Sequence, residues 1–172
     1  MLMGPKGGPG GCWCMLWRLR AKDYDTAGPE GRRQGMRAAF DGSIPPGLLA
    51  YDDETPVGWC SLAPRSAFPR LETSRVLKPV DDADVWSITC FFIAKSHRRT
   101  GMTVKLLEAA ADFVAGQGGA ILEGYPVDPG RKDYPSAYAW VGLADAFRKA
   151  GFEEVARRSD TRPIMRRVLS AG

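Results

Sequence analysis

Ser96 to Phe113 reads SHRRTGMTVKLLEAAADF, and it follows VWSITCFFIA, Val85 to Ala94. The earlier run is apolar on both faces, the pattern of a strand in the middle of a sheet. From Gly101 to Ala115 the apolar residues recur at helical spacing. That predicts a helix with Leu106, Ala109, Ala110, Phe113 and Val114 turned inward. His97, Arg98, Arg99 and Gly101 stand at the junction. The first backbone N–H groups of a helix have no partner inside it, and the helix dipole adds a positive field there. Such a terminus suits an anion, phosphate above all. Glycine removes the side chain that would hinder a phosphate, and Arg98 and Arg99 add counter-charge. The Walker and GxGxxG spacings are both absent, so the turn is not an ordinary ATP or NAD turn.

The rest of the composition narrows the class. At 172 residues the chain is expected to be one domain, able to bury about 70% of its unfolded surface. A net charge of +4 suits an anionic ligand but is too small and dispersed to point to nucleic acid. No apolar run is long enough to span a membrane. Residues 1–11, MLMGPKGGPGG, lack the apolar core of a secretion signal. They are expected to be a flexible start, leaving 12–172 as the domain. Cys12 and Cys14 have no second cysteine pair, and His97 is the chain's single histidine. That is too few ligands for zinc, so no metal is expected. Free thiols fit a reducing cytoplasm.

Along the chain, CWCMLWRLR, residues 12–20, alternates near its end and predicts a strand. GPEGRRQGMRAAF, residues 28–40, predicts a helix with Pro29 near its first turn and Met36, Ala39 and Phe40 as its stripe. GLLAYDDETPVGWCSL, residues 47–62, predicts a hairpin. The stretch 63–82 is long for a connection, and RLETSRVL within it offers a turn or two of helix. After the central helix come a strand in AILEGYPVD, a loop, a helix in AYAWVGLADAFRKAGF and two closing antiparallel strands. The order predicts an α/β, mixed α+β architecture with helices on both faces of a mixed sheet.

In its strand–turn–helix setting, Arg98-Arg99-Thr100-Gly101-Met102-Thr103 resembles the Arg/Gln-x-x-Gly-x-Gly/Ala turn of the GNAT acetyltransferase superfamily. RKAGF, Arg148 to Phe152, also matches, and the likeness runs from about Cys12 to Leu169. It implies a GNAT-like fold with a central, mostly antiparallel sheet. It also implies acetyl-CoA as cosubstrate, with Phe92 and Ile93 along the pantetheine and Arg98, Arg99, Thr100, Gly101, Met102, Thr103 and Val104 around the pyrophosphate. The activity implied is transfer of acetyl to an amine acceptor. A non-catalytic acyl-CoA-binding or regulatory protein on the same fold is the alternative. Thr103 departs from the usual Gly/Ala. The family's final helix often carries an Asn and, seven residues on, a Tyr that protonates the departing thiolate. Here Trp140 and Phe147 fall at those positions, and Phe has no proton to give.

Two residues are therefore assigned to the chemistry. Glu123, a carboxylate on an otherwise apolar strand, is the expected general base. Tyr138, just before the final helix, is the expected acid, and Phe147 is expected to be a packing residue. The stretches 63–82 and 128–136 are expected to flank the acceptor pocket, with Phe68 and Leu71 as an apolar wall. The identity of the amine, the oligomeric state (a homodimer included) and the role of Cys12 and Cys14 are left open by the sequence.

Overall fold

The computed structural model describes residues 2–130 and 140–169. Helix α1 spans Ala21–Phe40, strands β1 and β2 span Gly47–Asp52 and Thr55–Pro64, and the single turn α2 spans Pro69–Glu72. Strand β3 follows at Trp86–Ile93, helix α3 at Met102–Gly116, strand β4 at Ile121–Gly124 and helix α4 at Ala144–Lys149. Strands β5, Glu153–Arg157, and β6, Pro163–Val168, close the chain. The strands form one sheet in the order β1-β2-β3-β4-β6-β5. Among the described strands of the sheet, β3 and β4 run parallel and the other neighbouring pairs are antiparallel. The parallel pair needs a crossover, and α3 supplies it.

Alternation along the strands sorts the side chains. Cys60, Leu62, Ile88, Leu122 and Met165 enter the main core with α3 and α4. The other face carries two smaller clusters. One joins Phe68, Leu71 and Leu77 to Ala63, Tyr125 and Ile164. The second sets Cys14, Met15 and Met36 against Trp59 and Cys90. The buried stripe of α3 is Leu106, Leu107, Ala110, Ala111 and Val114. Ala109, expected inward, is exposed and Phe113 is half-buried. The stripe is turned toward Leu107 because larger side chains bury more apolar area there.

Three expectations about elements are revised. Residues 12–20 are turns rather than a strand: Trp13 and Cys14 have φ of 47° and 54°, outside the extended region. The helix expected over 28–40 is the second half of a longer α1, whose two halves meet at Gly28, φ 60°. Pro29 cannot continue the first half's hydrogen bonding, so it opens the second. The final helix is short. Gly142 at φ 83° interrupts the chain before Ala144, and a Cβ there would lie 2.8 Å from the Phe147 ring.

Candidate active site

Three features converge at the C-terminal end of β3. The first is the turn into α3. Gly101 is its N-cap at φ 82°, with open space where a Cβ would be. Arg99, at φ 63°, is also left-handed. The first amides of α3 to find an intrahelical acceptor are Val104 and Lys105, both on the Gly101 carbonyl. The amides of Met102 and Thr103 precede them at the open terminus. Arg98 donates from Nε to the Ile93 carbonyl at 3.1 Å, and the Thr100 hydroxyl donates to the His97 carbonyl at 2.7 Å. These contacts fix the turn while both Arg98 and Arg99 stay exposed. The sequence-assigned residues Arg98 to Val104 thus lie together at one turn, where the leading amides of Met102 and Thr103 and two exposed guanidiniums form a donor set that fits a phosphate.

The second feature is the strand that leads there. β3 pairs with β4 only through Trp86, Ser87 and Ile88. β4 ends at Gly124, so among the described residues Cys90–Ile93 is laddered to β2 alone and its other edge has no strand partner. Phe92 and Ile93 lie at the far end of this edge, beside the turn. At its near end the register skips: Ser61 faces Cys90, Leu62 faces Ile88, and Thr89 is left as a bulge. A bulge frees backbone groups from the ladder. The Thr89 hydroxyl donates to Ser61 Oγ at 3.3 Å.

The third feature is a cavity of about 310 Å³ on the face away from α3. Cys90, Phe91 and Phe92 line it from β3; Trp17, Tyr24 and Trp140 line it from elsewhere. Gly7, Gly8, Cys12 and Cys14 complete much of the wall, so the glycine-rich start is part of this site rather than a loose leader. Gly7 is buried, and a Cβ on it would lie 2.1 Å from the Trp13 ring. The thiols of Cys14 and Cys90 are 3.5 Å apart. Among the described residues no group of His, Cys, Asp or Glu is arranged to hold a metal.

Glu123 is elsewhere in kind. Its side chain has no exposure. Oε1 accepts from Arg65 Nη1 at 2.9 Å and from the Tyr125 hydroxyl at 2.6 Å, and Oε2 accepts from Arg166 Nε at 2.7 Å. Arg65 also donates to Glu72 and to the Leu77 carbonyl, both at 2.8 Å, and Arg166 reaches Asp81. Burial, then the Glu123 charge, pushes the Tyr125 hydroxyl well above its usual range and keeps it a donor. This corrects the expectation of a base poised toward substrate: both carboxylate oxygens are committed to cations of the fold. Phe68 and Leu71 are likewise fully buried core rather than a pocket wall. Tyr138, and 131–136 of the second expected pocket loop, lie outside the described residues.

The sequence profile of the acetyltransferase (GNAT) family matches residues 13–129. The chain belongs to the GNAT acetyltransferase family. Solved structures share the fold. A ribosomal-protein-alanine N-acetyltransferase from Brucella melitensis is 16% identical, with a TM-score of 0.53 over 82% of this chain and 78% of that one. An N-acetyltransferase from Staphylococcus aureus is 10% identical, with a TM-score of 0.54 over 83% and 78%. A Salmonella typhimurium protein solved with acetyl-CoA is 14% identical, with a TM-score of 0.50 over 91% and 80%. Comparison with curated protein sequences finds no match.

Within this GNAT chain Phe147, at the position of the family's frequent Tyr, is fully buried. It packs edge-on against Phe91 and Phe152, at 6.1 and 5.0 Å between ring centroids. Gly124 leaves room for it, since a Cβ there would lie 2.1 Å from the ring. The GNAT sequence reading missed the Thr89 bulge and the cavity, for which an apolar run carries no signal. It also missed Arg65 and Arg166. A carboxylate in a buried strand requires cations nearby, and Arg166 is its direct cross-strand partner on β6.

Proposed function

We propose that the chain transfers an acetyl group from acetyl-CoA to the nitrogen of an amine acceptor, as a cytoplasmic N-acetyltransferase. The observation that carries this reading is the continuity of the β3 edge Cys90–Ile93, which no strand pairs among the described residues, with the amide turn at Gly101. An extended arm laid on that edge ends in phosphates at the turn, held by the amides from Arg99 to Thr103 and by the guanidiniums of Arg98 and Arg99. Edge pairing is the usual way an extended chain adds to a sheet. Amides freed around the bulge and toward Phe92 polarise the thioester carbonyl.

The amine nitrogen attacks the thioester carbon, the C–S bond breaks, and the nitrogen loses a proton to water. The thiolate takes a proton from Tyr138, the tyrosine nearest in sequence to the final helix whose own aromatic, Phe147, has none. Holding both reactants together supplies much of the acceleration. Glu123 serves in this scheme as the anchor of the Arg65–Arg166 network and not as the base.

A second reading, a non-catalytic acyl-CoA binder, is favoured by Phe147 alone. The two separate in one assay that follows free CoA thiol with acetyl-CoA and a panel of primary amines. Amine-dependent release is expected. Tight CoA binding by calorimetry with no release for any amine would favour the binder.

A further inference from the structure

We propose that the cavity beside Cys90–Phe92 selects a neutral, apolar amine body of about one ring and rejects polycationic acceptors; this rests on the transfer reading above. The volume sets the size. About 310 Å³ is near the lower end for small-molecule sites and about twice an engineered cavity that holds benzene. The lining sets the chemistry. Trp17, Tyr24, Phe92 and Trp140 are the aromatic residues that line it on this face, and no charged side chain lines it among the described residues.

The charges that approach its walls have the wrong sign for a cation. Arg32 and Arg70 stack on the Tyr24 ring at 4.2 and 5.2 Å, and Arg33 lies 5.7 Å from the Trp13 ring. Glu123, the carboxylate in the middle of the β3–β4 ladder, is neutralised by Arg65 and Arg166. An ammonium in this cavity would lose its water and gain no anion among the described residues.

The same environment answers the missing base. Desolvation favours the uncharged amine, so an amine drawn into the cavity arrives as the nucleophile, its proton left in water.

The test is calorimetry on the full chain with benzylamine, its product N-benzylacetamide, spermidine, and acetyl- against hexanoyl-CoA. N-benzylacetamide is expected to bind about tenfold or more tighter than spermidine. Leu16→Trp, which fills the cavity, is expected to abolish N-benzylacetamide binding, with folding checked by circular dichroism. Spermidine binding as tightly as the aryl ligand would overturn the proposal whether or not any variant folds. So would hexanoyl-CoA binding far tighter than acetyl-CoA with no aryl binding, which makes the cavity an acyl-chain site. Heat is read without turnover. Benzylamine bound but never acetylated, with no other amine turned over, removes the transfer reading and leaves the cavity's preference intact. Transfer to spermidine with no aryl binding does the reverse.

Discussion

Arg65 and Glu123 are 58 residues apart in the chain and 2.9 Å apart in the fold, in an ion pair with almost no access to water. The pair ties the segment after β2 to β4, and Arg166 extends the tie to β6. Removing one side of a buried pair costs about 3–5 kcal/mol, because the other charge is left uncompensated. Glu123→Gln is therefore expected to lose stability on that scale by urea unfolding, while the folded fraction keeps its acetyl-CoA affinity. Unchanged stability with turnover lowered about a hundredfold or more would return Glu123 to the role of base.

The cofactor turn has its own test. Gly101 is left-handed with open space at its Cβ position, so a side chain there strains the backbone and points toward the proposed phosphates. Gly101→Glu is expected to weaken CoA binding about tenfold or more, since charge-assisted hydrogen bonds contribute roughly 1.5–3 kcal/mol each. Raising the salt concentration should weaken wild-type binding in the same titration. Identical CoA affinity in the variant places the phosphates elsewhere.

The final helix gives a contrast between two aromatics. Phe147→Ala is expected to cost about 3–5 kcal/mol of stability, as for other buried Phe truncations. Phe147→Tyr puts a hydroxyl into the same packed site and is expected to destabilise without raising turnover. Tyr138→Phe is expected to lower turnover and remove the alkaline limb of its pH profile. A Phe147→Tyr enzyme faster than wild type would locate the acid on α4 after all.

Acid should loosen one identifiable cluster. Asp128 accepts from Arg157 at 2.7 Å and from Arg148 at 2.8 Å, and these bonds, Arg157 first, hold its carboxyl below the usual range. A carboxyl lowered in the folded state adds stability above its unfolded pKa, about 3.9 for Asp. That stability is lost as pH falls through the lowered folded value. Wild type is expected to exceed Asp128→Asn in urea midpoint near neutral pH, with the gap closing below about pH 3.9. A gap that is constant down to the lowest pH would assign the effect to packing.

The cysteines should be slow. Cys14, Cys60 and Cys90 are buried and Cys12 is partly so. The Cys12 thiol is pushed up chiefly by its hydrogen bond with Cys14, and Cys60 by burial. Raised thiols are poor nucleophiles near neutral pH because the thiolate is the reactive form. Titration with an aromatic disulfide reagent is expected to find little reaction in the native protein and all four thiols after denaturation. Rapid native labelling of Cys12 would mean that the glycine-rich wall of the cavity opens readily.

What was legible in the sequence follows from how local each signal is. The strand, the turn at Gly101 and α3 are written in adjacent residues, so periodicity and one glycine disclosed the strand–turn–helix unit on which the proposed phosphate site rests. The role of Glu123 depends on Arg65 and Arg166, which no spacing rule connects to it. Residues 12–20 alternate like a strand, but the left-handed backbone at Trp13 and Cys14 overrides that pattern. The cavity joins residues 3–24 to Cys90–Phe92 and Trp140, and contacts between segments so far apart in the chain leave no local signal in its sequence.

The early stop of β4 along β3 also bears on how the protein behaves in a tube. Cys90-Phe91-Phe92-Ile93 is a β-prone, uncharged run with one edge that no strand pairs among the described residues, in the middle of a sheet. Unpaired edges of this kind template association with other chains. A ligand that takes up the edge competes directly with that association and also draws the population toward the native state. Acetyl-CoA added during purification or mild heating should therefore suppress aggregation beyond its effect on the unfolding midpoint, visible as reduced light scattering at matched fractions of unfolded protein.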